Sequence, residues 1–247
     1  MTTSQPSDPT TSNHSGIARI FLLYIAASLI TAAVGALILQ RYNAVIPPTQ
    51  RMTELYSVTQ LNPTEANELR ILERTLAWQN TSLVLGLTGL LFAACLGLSE
   101  GLIERSARVC LVGAVAGIIL GSLGGAAGGC LSVFVDDWIQ HRIANDLVRN
   151  MLTHTSSWII ISAAATLAVL IATRRATRGE GLQCIVSAIA AAMICGAVYG
   201  LISAIMFPEV ETGQPLPQGH SNQFLWLLCT SLMVVLALGR SRPRMAR

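Results

Sequence analysis

The sequence predicts an all-α membrane protein, a bundle of six transmembrane helices arranged as three helical hairpins. Three observations carry that prediction. Of 247 residues, 52% are hydrophobic and only 12% charged, with mean hydropathy +0.57, whereas a soluble domain is about 25% charged. The apolar residues also gather into six nearly charge-free stretches, near 17–40, 78–98, 109–134, 152–173, 182–207 and 223–239. About 20 apolar residues cross roughly 30 Å of hydrocarbon as a helix. Finally, the run GAVAGIILGSLGGAAGG sets Gly113, Gly117, Gly121, Gly125 and Gly129 at every fourth position, a glycine-zipper pattern that makes sense only if another helix lies against it.

Taken in order, residues 1–16 are rich in Ser, Thr and Pro and read as a disordered cytoplasmic tail. The first span is longer than a signal peptide's apolar core of about 7–15 residues, and only polar, non-basic residues precede it, so it reads as uncleaved. The long linker 41–77 contains Asn62-Pro63-Thr64-Glu65, a helix start with an N-cap Asn, Pro at the first position and an acid at the third. That helix is predicted to run on into span two. In the next turn, SEGLIERSAR, Glu104 and Arg108 stand at i,i+4, as on a solvated helical turn. Beyond span three, DDWIQHRIANDLVRNM places Ile139, Ile143, Leu147 and Met151 four residues apart beside Trp138. Charged residues fill the other side, which predicts an amphipathic helix on the outer surface. The linker PEVETGQPLPQGHSN reads as an irregular loop. Span six is short and bounded by Arg240, and residues 240–247 form a basic cytoplasmic tail; the transmembrane domain is 17–239.

Orientation follows the arginines, which are all sixteen of the basic residues. With the N-terminus inside, ten lie on the cytoplasmic side (19, 105, 108, 174, 175, 178, 240, 242, 244, 247) and six outside (41, 51, 70, 74, 142, 149). Trp78, Trp158 and Trp226 then each open a descending span, as an outer aromatic belt would, and Trp138 lies just outside span three. Both termini are expected inside. The chain also repeats itself: CLVGAVAGIILG from Cys110 aligns with CIVSAIAAAMIC from Cys184, and the same offset brings Asn80-Thr81-Ser82 over His154-Thr155-Ser156, with Cys229-Thr230-Ser231 following. Three two-helix units in one orientation are the simplest reading.

Glycine costs about 1 kcal/mol relative to alanine in a helix interior. Close backbone approach offsets that cost through dispersion and Cα–H···O contacts. A matching surface is Ala188, Ala192, Gly196 and Gly200 in span five. The ridge fits packing of span three against span five or one, or a subunit interface, the first being favoured.

Chemistry is sparse. No ionisable residue falls at mid-depth in any of the six stretches, and His154 is placed at the outer end of span four. This argues against a proton-coupled pump, a voltage sensor or a conventional secondary transporter. Asp137 and His141 at i,i+4, with Asp136 and His154 nearby, are the one metal-like constellation; the wet side of a surface helix explains them better, and no metal or cofactor is expected. Thr81, Ser82, Thr155, Ser156, Thr230 and Ser231 could line a polar path, although such hydroxyls more often bond their own backbone. The six cysteines lie in or beside apolar stretches and read as inert. The partners expected are the bilayer itself, a second copy or another membrane protein along the small-residue ridges, and anionic lipid at the arginine-rich inner turns and tail RSRPRMAR; nucleic acid is not.

Residues 96–129, LGLSEGLIERSARVCLVGAVAGIILGSLGGAAGG, resemble a segment of uncharacterised bacterial multi-pass membrane proteins, an EGL turn and Arg-Ser pair followed by a glycine-zipper helix. The resemblance implies a protein of the bacterial inner membrane and no activity. The sequence is thus read as a structural or interaction protein, not an enzyme, built around a central small-residue helix. The alternative is a channel or facilitator for a small or uncharged solute.

Overall fold

The computed structural model describes residues 9–41, 45–174, 178–207 and 215–241. Seven helices account for nearly all of them: α1 Pro9–Arg41, α2 Gln50–Ser57, α3 Pro63–Glu104, α4 Ala107–Ile139, α5 Asp146–Thr173, α6 Arg178–Met206 and α7 His220–Arg240. All but α2 are long and apolar enough to cross a membrane, so the chain is a multi-pass membrane helical bundle. Span six reaches full length, since α7 comprises 21 residues. The end of the bundle holding Arg19 and Ser241 is called inner, after the arginine distribution.

The helices form a closed ring in the order α1, α3, α4, α5, α6, α7, in which α3 also touches α5 across the middle. Each odd-numbered span therefore lies between two even-numbered ones. The small residues mark several of these contacts. The every-fourth glycines of α4 lie on α3, Gly196 and Gly200 of α6 lie on Thr155 and Met151 of α5, and Gly35 of α1 lies on Leu227 of α7. The contact of α1 with α7 closes the ring.

Two expectations are corrected here. The glycine helix α4 is not central but the least buried of the six spans, with Leu111, Ile119 and Leu123 turned outward. Its partners are α3 and α5, not spans one and five. Gly113 meets Gly97, Gly117 meets Ala93, Gly121 meets Gly89 and Gly129 meets Ser82, while Gly124 and Gly128 meet Ala164 and Ser157 of α5. Each four-residue step along α4 is matched by four residues back along α3, which is the register of an antiparallel pair joined by a two-residue turn. Secondly, residues 136–151 do not form a surface helix of their own. The chain leaves α4 at Ile139 and re-enters helix at Asp146, where Asn145 caps α5 by accepting from the N–H groups of Leu147 and Val148. An Asn offering its side chain to the backbone competes with helix continuation, and the apolar periodicity across it was shared between two helix ends.

The outer side carries a platform instead. The Asn62 capping box forms in full, with Glu65 N–H donating to Asn62 and Asn62 N–H to Glu65. α3 then runs unbroken for 42 residues, so its first four turns extend roughly 20 Å beyond Trp78. The unforeseen helix α2 lies against this extension through buried Met52 and Leu55. Arg51 donates two bonds of 2.9 Å to Glu68, and Tyr56 Oη donates to Glu73 at 2.8 Å. The Arg51 guanidinium holds the Glu68 carboxyl below its usual range. Asn80 ties down the linker, accepting from Ile46 N–H at 2.8 Å and donating to Ile46 O at 3.0 Å. Asn62→Ala is expected to cost about 1 kcal/mol, read as faster amide exchange over residues 63–68 with the membrane core unchanged; equal exchange would show that the box contributes nothing.

On the inner side the expected Glu104–Arg108 helical turn is interrupted. Arg105 closes α3 in the left-handed conformation, φ 52°, and Ser106 caps α4, which puts the two residues on different helices. Arg174 closes α5 in the same way, φ 54°. At the N-terminus, α1 begins at Pro9, inside the segment read as a disordered tail. Residues 1–8, Arg175, the arginines of 242–247, and Glu209 and Glu211 lie outside the described residues.

Candidate functional site

The centre of the outer half is polar and aromatic. Along α5, Asn150, His154 and Trp158 recur every four residues, and along α7 so do Asn222, Trp226 and Thr230. Four-residue spacing places each set on one helical flank. All six are 1% exposed or less. The backbones of α5 and α7 barely approach one another, and large rings fill the gap. His154 stands edge-on to Tyr199 and Trp226 (centroids 5.1 and 5.4 Å), Trp158 to Trp226 (5.6 Å) and Phe92 of α3 to Trp158 (5.9 Å). Edge-to-face contacts of this kind fix ring orientations.

Above the rings, Tyr199 Oη and Ser203 Oγ of α6 donate to Asn222 Oδ1 at 2.8 and 3.1 Å. Gln223 Nε2 donates to Pro217 O at 3.0 Å. The indole N–H groups of Trp158 and Trp226, the Asn222 amide nitrogen, both amide atoms of Asn150 and Gln223 Oε1 make no hydrogen bond.

Two sequence expectations change accordingly. Trp158 and Trp226 are not belt residues: both are fully buried. Trp138 alone is exposed at the rim, with Arg142 over its ring at 4.5 Å. His154 is interior rather than terminal, because α5 starts at Asp146 and His154 lies about 12 Å along it.

A second polar centre occupies the inner half. Glu100, read as part of a solvated turn, is 1% exposed and accepts a short hydrogen bond from Tyr24 Oη of α1. Beside it a cavity of about 30 Å³ is bounded by Thr166 and Thr173 of α5, Cys184 of α6 and Ser241, room for one or two waters. A carboxyl group in the interior of a membrane bundle is costly and is a functional candidate by default.

The other predicted residues are placed as follows. Ser156, Thr230 and Ser231 donate to carbonyls of their own helices, those of Thr153, Trp226 and Leu227. Ser82 pairs with Cys130 at 3.1 Å, Thr81 is buried, and Thr155 packs on Gly196. These hydroxyls therefore sit at helix contacts. Ala188 and Ala192 are fully buried. Asp137 pairs with Arg74 of α3 at 2.6 Å and Asp136 with Arg149 at 3.7 Å, while His141 lies in the turn between α4 and α5. Among the described residues no three His, Cys, Asp or Glu side chains are grouped to hold a metal ion, and all six cysteines are free thiols.

Compared with protein-family models, with curated proteins and with solved structures, the chain matches none.

Proposed function

We propose that this chain is a facilitator for a small solute, working through the interior between α3, α5, α6 and α7. The observation that carries the reading is the set of strongly polar side chains inside the bundle: Glu100, Asn150, His154, Asn222 and Gln223 are each 2% exposed or less. Helix packing alone is served better by leucine at such positions, since polar groups at membrane depth are costly and retained where something must bind or pass. The two centres lie at opposite ends of the interior, with the ring cluster between them. The conformation described is closed, so passage requires Trp158 and Trp226 to change rotamer. In this reading the protein lies in a bacterial inner membrane with both termini cytoplasmic.

Osmotic swelling of liposomes carrying the purified full chain, across neutral solutes and salts, tests the reading. Flux of at least one solute above protein-free liposomes is expected. Equal permeability to every solute, with the protein shown to be folded and inserted, overturns it. A structural or interaction role is the second reading, favoured by the outer platform, whose α2 and extended α3 present a rigid surface away from the bilayer. That role predicts no flux and capture of a partner that is lost with Arg51→Ala.

A further inference from the structure

The facilitator reading leaves open what closes the outer end of the interior, and the inference here rests on that reading. The chain leading into α7 does not stand off in solvent. Leu216 is 9% exposed, Pro217 is buried as well, and Leu216 belongs to the same apolar core as Trp158, Tyr199 and Trp226. The run Pro215-Leu216-Pro217 suits such a place. Proline brings no N–H to be satisfied and fixes its own φ, and a residue before proline is held extended. The strap is therefore stiff, and its burial leaves few backbone donors to be met. Gln223, one turn inside α7 and 2% exposed, reaches back to it, donating from Nε2 to Pro217 O at 3.0 Å. The turn between them is made at Gly219, which alone among the described glycines has a positive φ, 81°. A Cβ there would meet nothing within 4 Å, so this glycine serves the backbone conformation and not close packing.

We propose that residues 215–218 are the outer gate of the interior, a stiff strap that swings at Gly219 and is latched by Gln223. The latch stands beside the outer polar centre. Asn222, next to Gln223 in the chain, takes the hydroxyls of Tyr199 and Ser203, and Trp226 lies one turn deeper in α7. A solute arriving from outside between α6 and α7 meets the strap before it meets these groups. Lifting the strap breaks the bond from Gln223 and uncovers Leu216, a change of the size that local opening achieves while the helices stay folded. The hinge adds little resistance. No side-chain hydrogen bond caps α7 at Gly219, and the space around that residue is open. A rigid segment between a free hinge and a side-chain latch has two positions, which is what a gate requires.

The test reads opening and flux separately, both in the full chain. In detergent, Leu216→Cys is labelled with a bulky hydrophilic maleimide, and the signal of the native thiols is subtracted with the parent chain. Labelling is expected to be slow and to quicken about fivefold or more when Gln223→Leu is added, since one hydrogen bond to a buried carbonyl is lost. Ser221→Cys, at an exposed position in the first turn of α7, should label at one rate with and without Gln223→Leu. Native thiols that label no faster show that the opening is local. Should Gln223→Leu not fold, Gln223→Glu, whose carboxylate cannot donate to Pro217 O, is read in its place. In liposomes, osmotic swelling with glycerol, urea and potassium chloride is followed before and after modification of Leu216→Cys. The attached group cannot be reburied, so flux of a solute that the parent passes should rise about twofold or more. Equal labelling with and without the latch overturns the gate, as does flux that is unchanged or lower after modification. Either result, with flux in the parent, spares the facilitator reading. Absence of flux for every solute, before and after modification, removes both.

Discussion

Gly121→Leu is expected to lose most of the folded protein. A Cβ on Gly121 would overlap the carbonyl oxygen of Gly89 and stand 2.8 Å from the Cβ of Ala93. The first obstacle is backbone in a rigid helix, which no rotamer change relieves. α3 would have to back away, and it cannot do so locally, because Gly113, Gly117, Gly125 and Gly129 meet the same helix in one register. Overpacking in a tight core costs about 1–3 kcal/mol for a few added carbons, and here the side chain also separates the most extensive helix pair in the bundle. Yield, thermal midpoint and monodispersity in detergent measure the loss, with Leu123→Ala, at an exposed position of the same helix, as the control. Gly121→Ala should fall between parent and Leu variant, since its Cβ alone already meets the Gly89 carbonyl. A Leu variant with the parent's midpoint would show that the two helices separate freely.

The legible parts of this fold were those governed by one helix at a time. Apolar length alone located six spans, because hydrocarbon thickness sets a minimum that little else meets. The cap at Asn62-Pro63 was readable because its hydrogen bonds close within four residues. Helix pairing was less so. The glycine ridge announced that α4 must touch a backbone, but Ala188–Gly200 offered as plausible a partner as Gly89 and Gly97, and sequence spacing does not rank them. Antiparallel neighbours joined by a two-residue turn meet with the least loss of chain freedom, which is the argument that selects α3. The interior site was hidden by trimming the spans to their hydropathic middles. Span four began at 152 and span six at 223, which left Asn150 and Asn222 outside. The four-residue spacing of Asn150, His154 and Trp158, and of Asn222, Trp226 and Thr230, was nonetheless present in the sequence. Glu100 was lost for a related reason: an acid next to an arginine-bearing turn reads as solvated, and only the position of Tyr24, 76 residues away, shows that it points inward.

Trp226→Ala is the second large effect, and it separates two accounts of the same residue. A belt tryptophan is anchored by the lipid interface, and its removal costs little in folding. A core tryptophan leaves a cavity. Trp226 is fully buried and touches three rings, those of His154, Tyr199 and Trp158, where the backbones of α5 and α7 barely approach. Truncation of a buried Trp costs about 3–5 kcal/mol, and here α7 has no glycine face against α5 with which to close the gap. Trp138→Ala, at a site 51% exposed, should cost about 1 kcal/mol or less, chiefly the contact with Arg142. Reversible unfolding in mixed micelles would give the two values. Quenching by lipids brominated near the interface makes the distinction without mutation of the core, because only Trp138, and in part Trp78, should respond. If Trp226 is quenched as strongly as Trp138, the ring cluster is open to lipid. The unpaired indole N–H groups would then be satisfied by headgroups, and a closed interior would not follow.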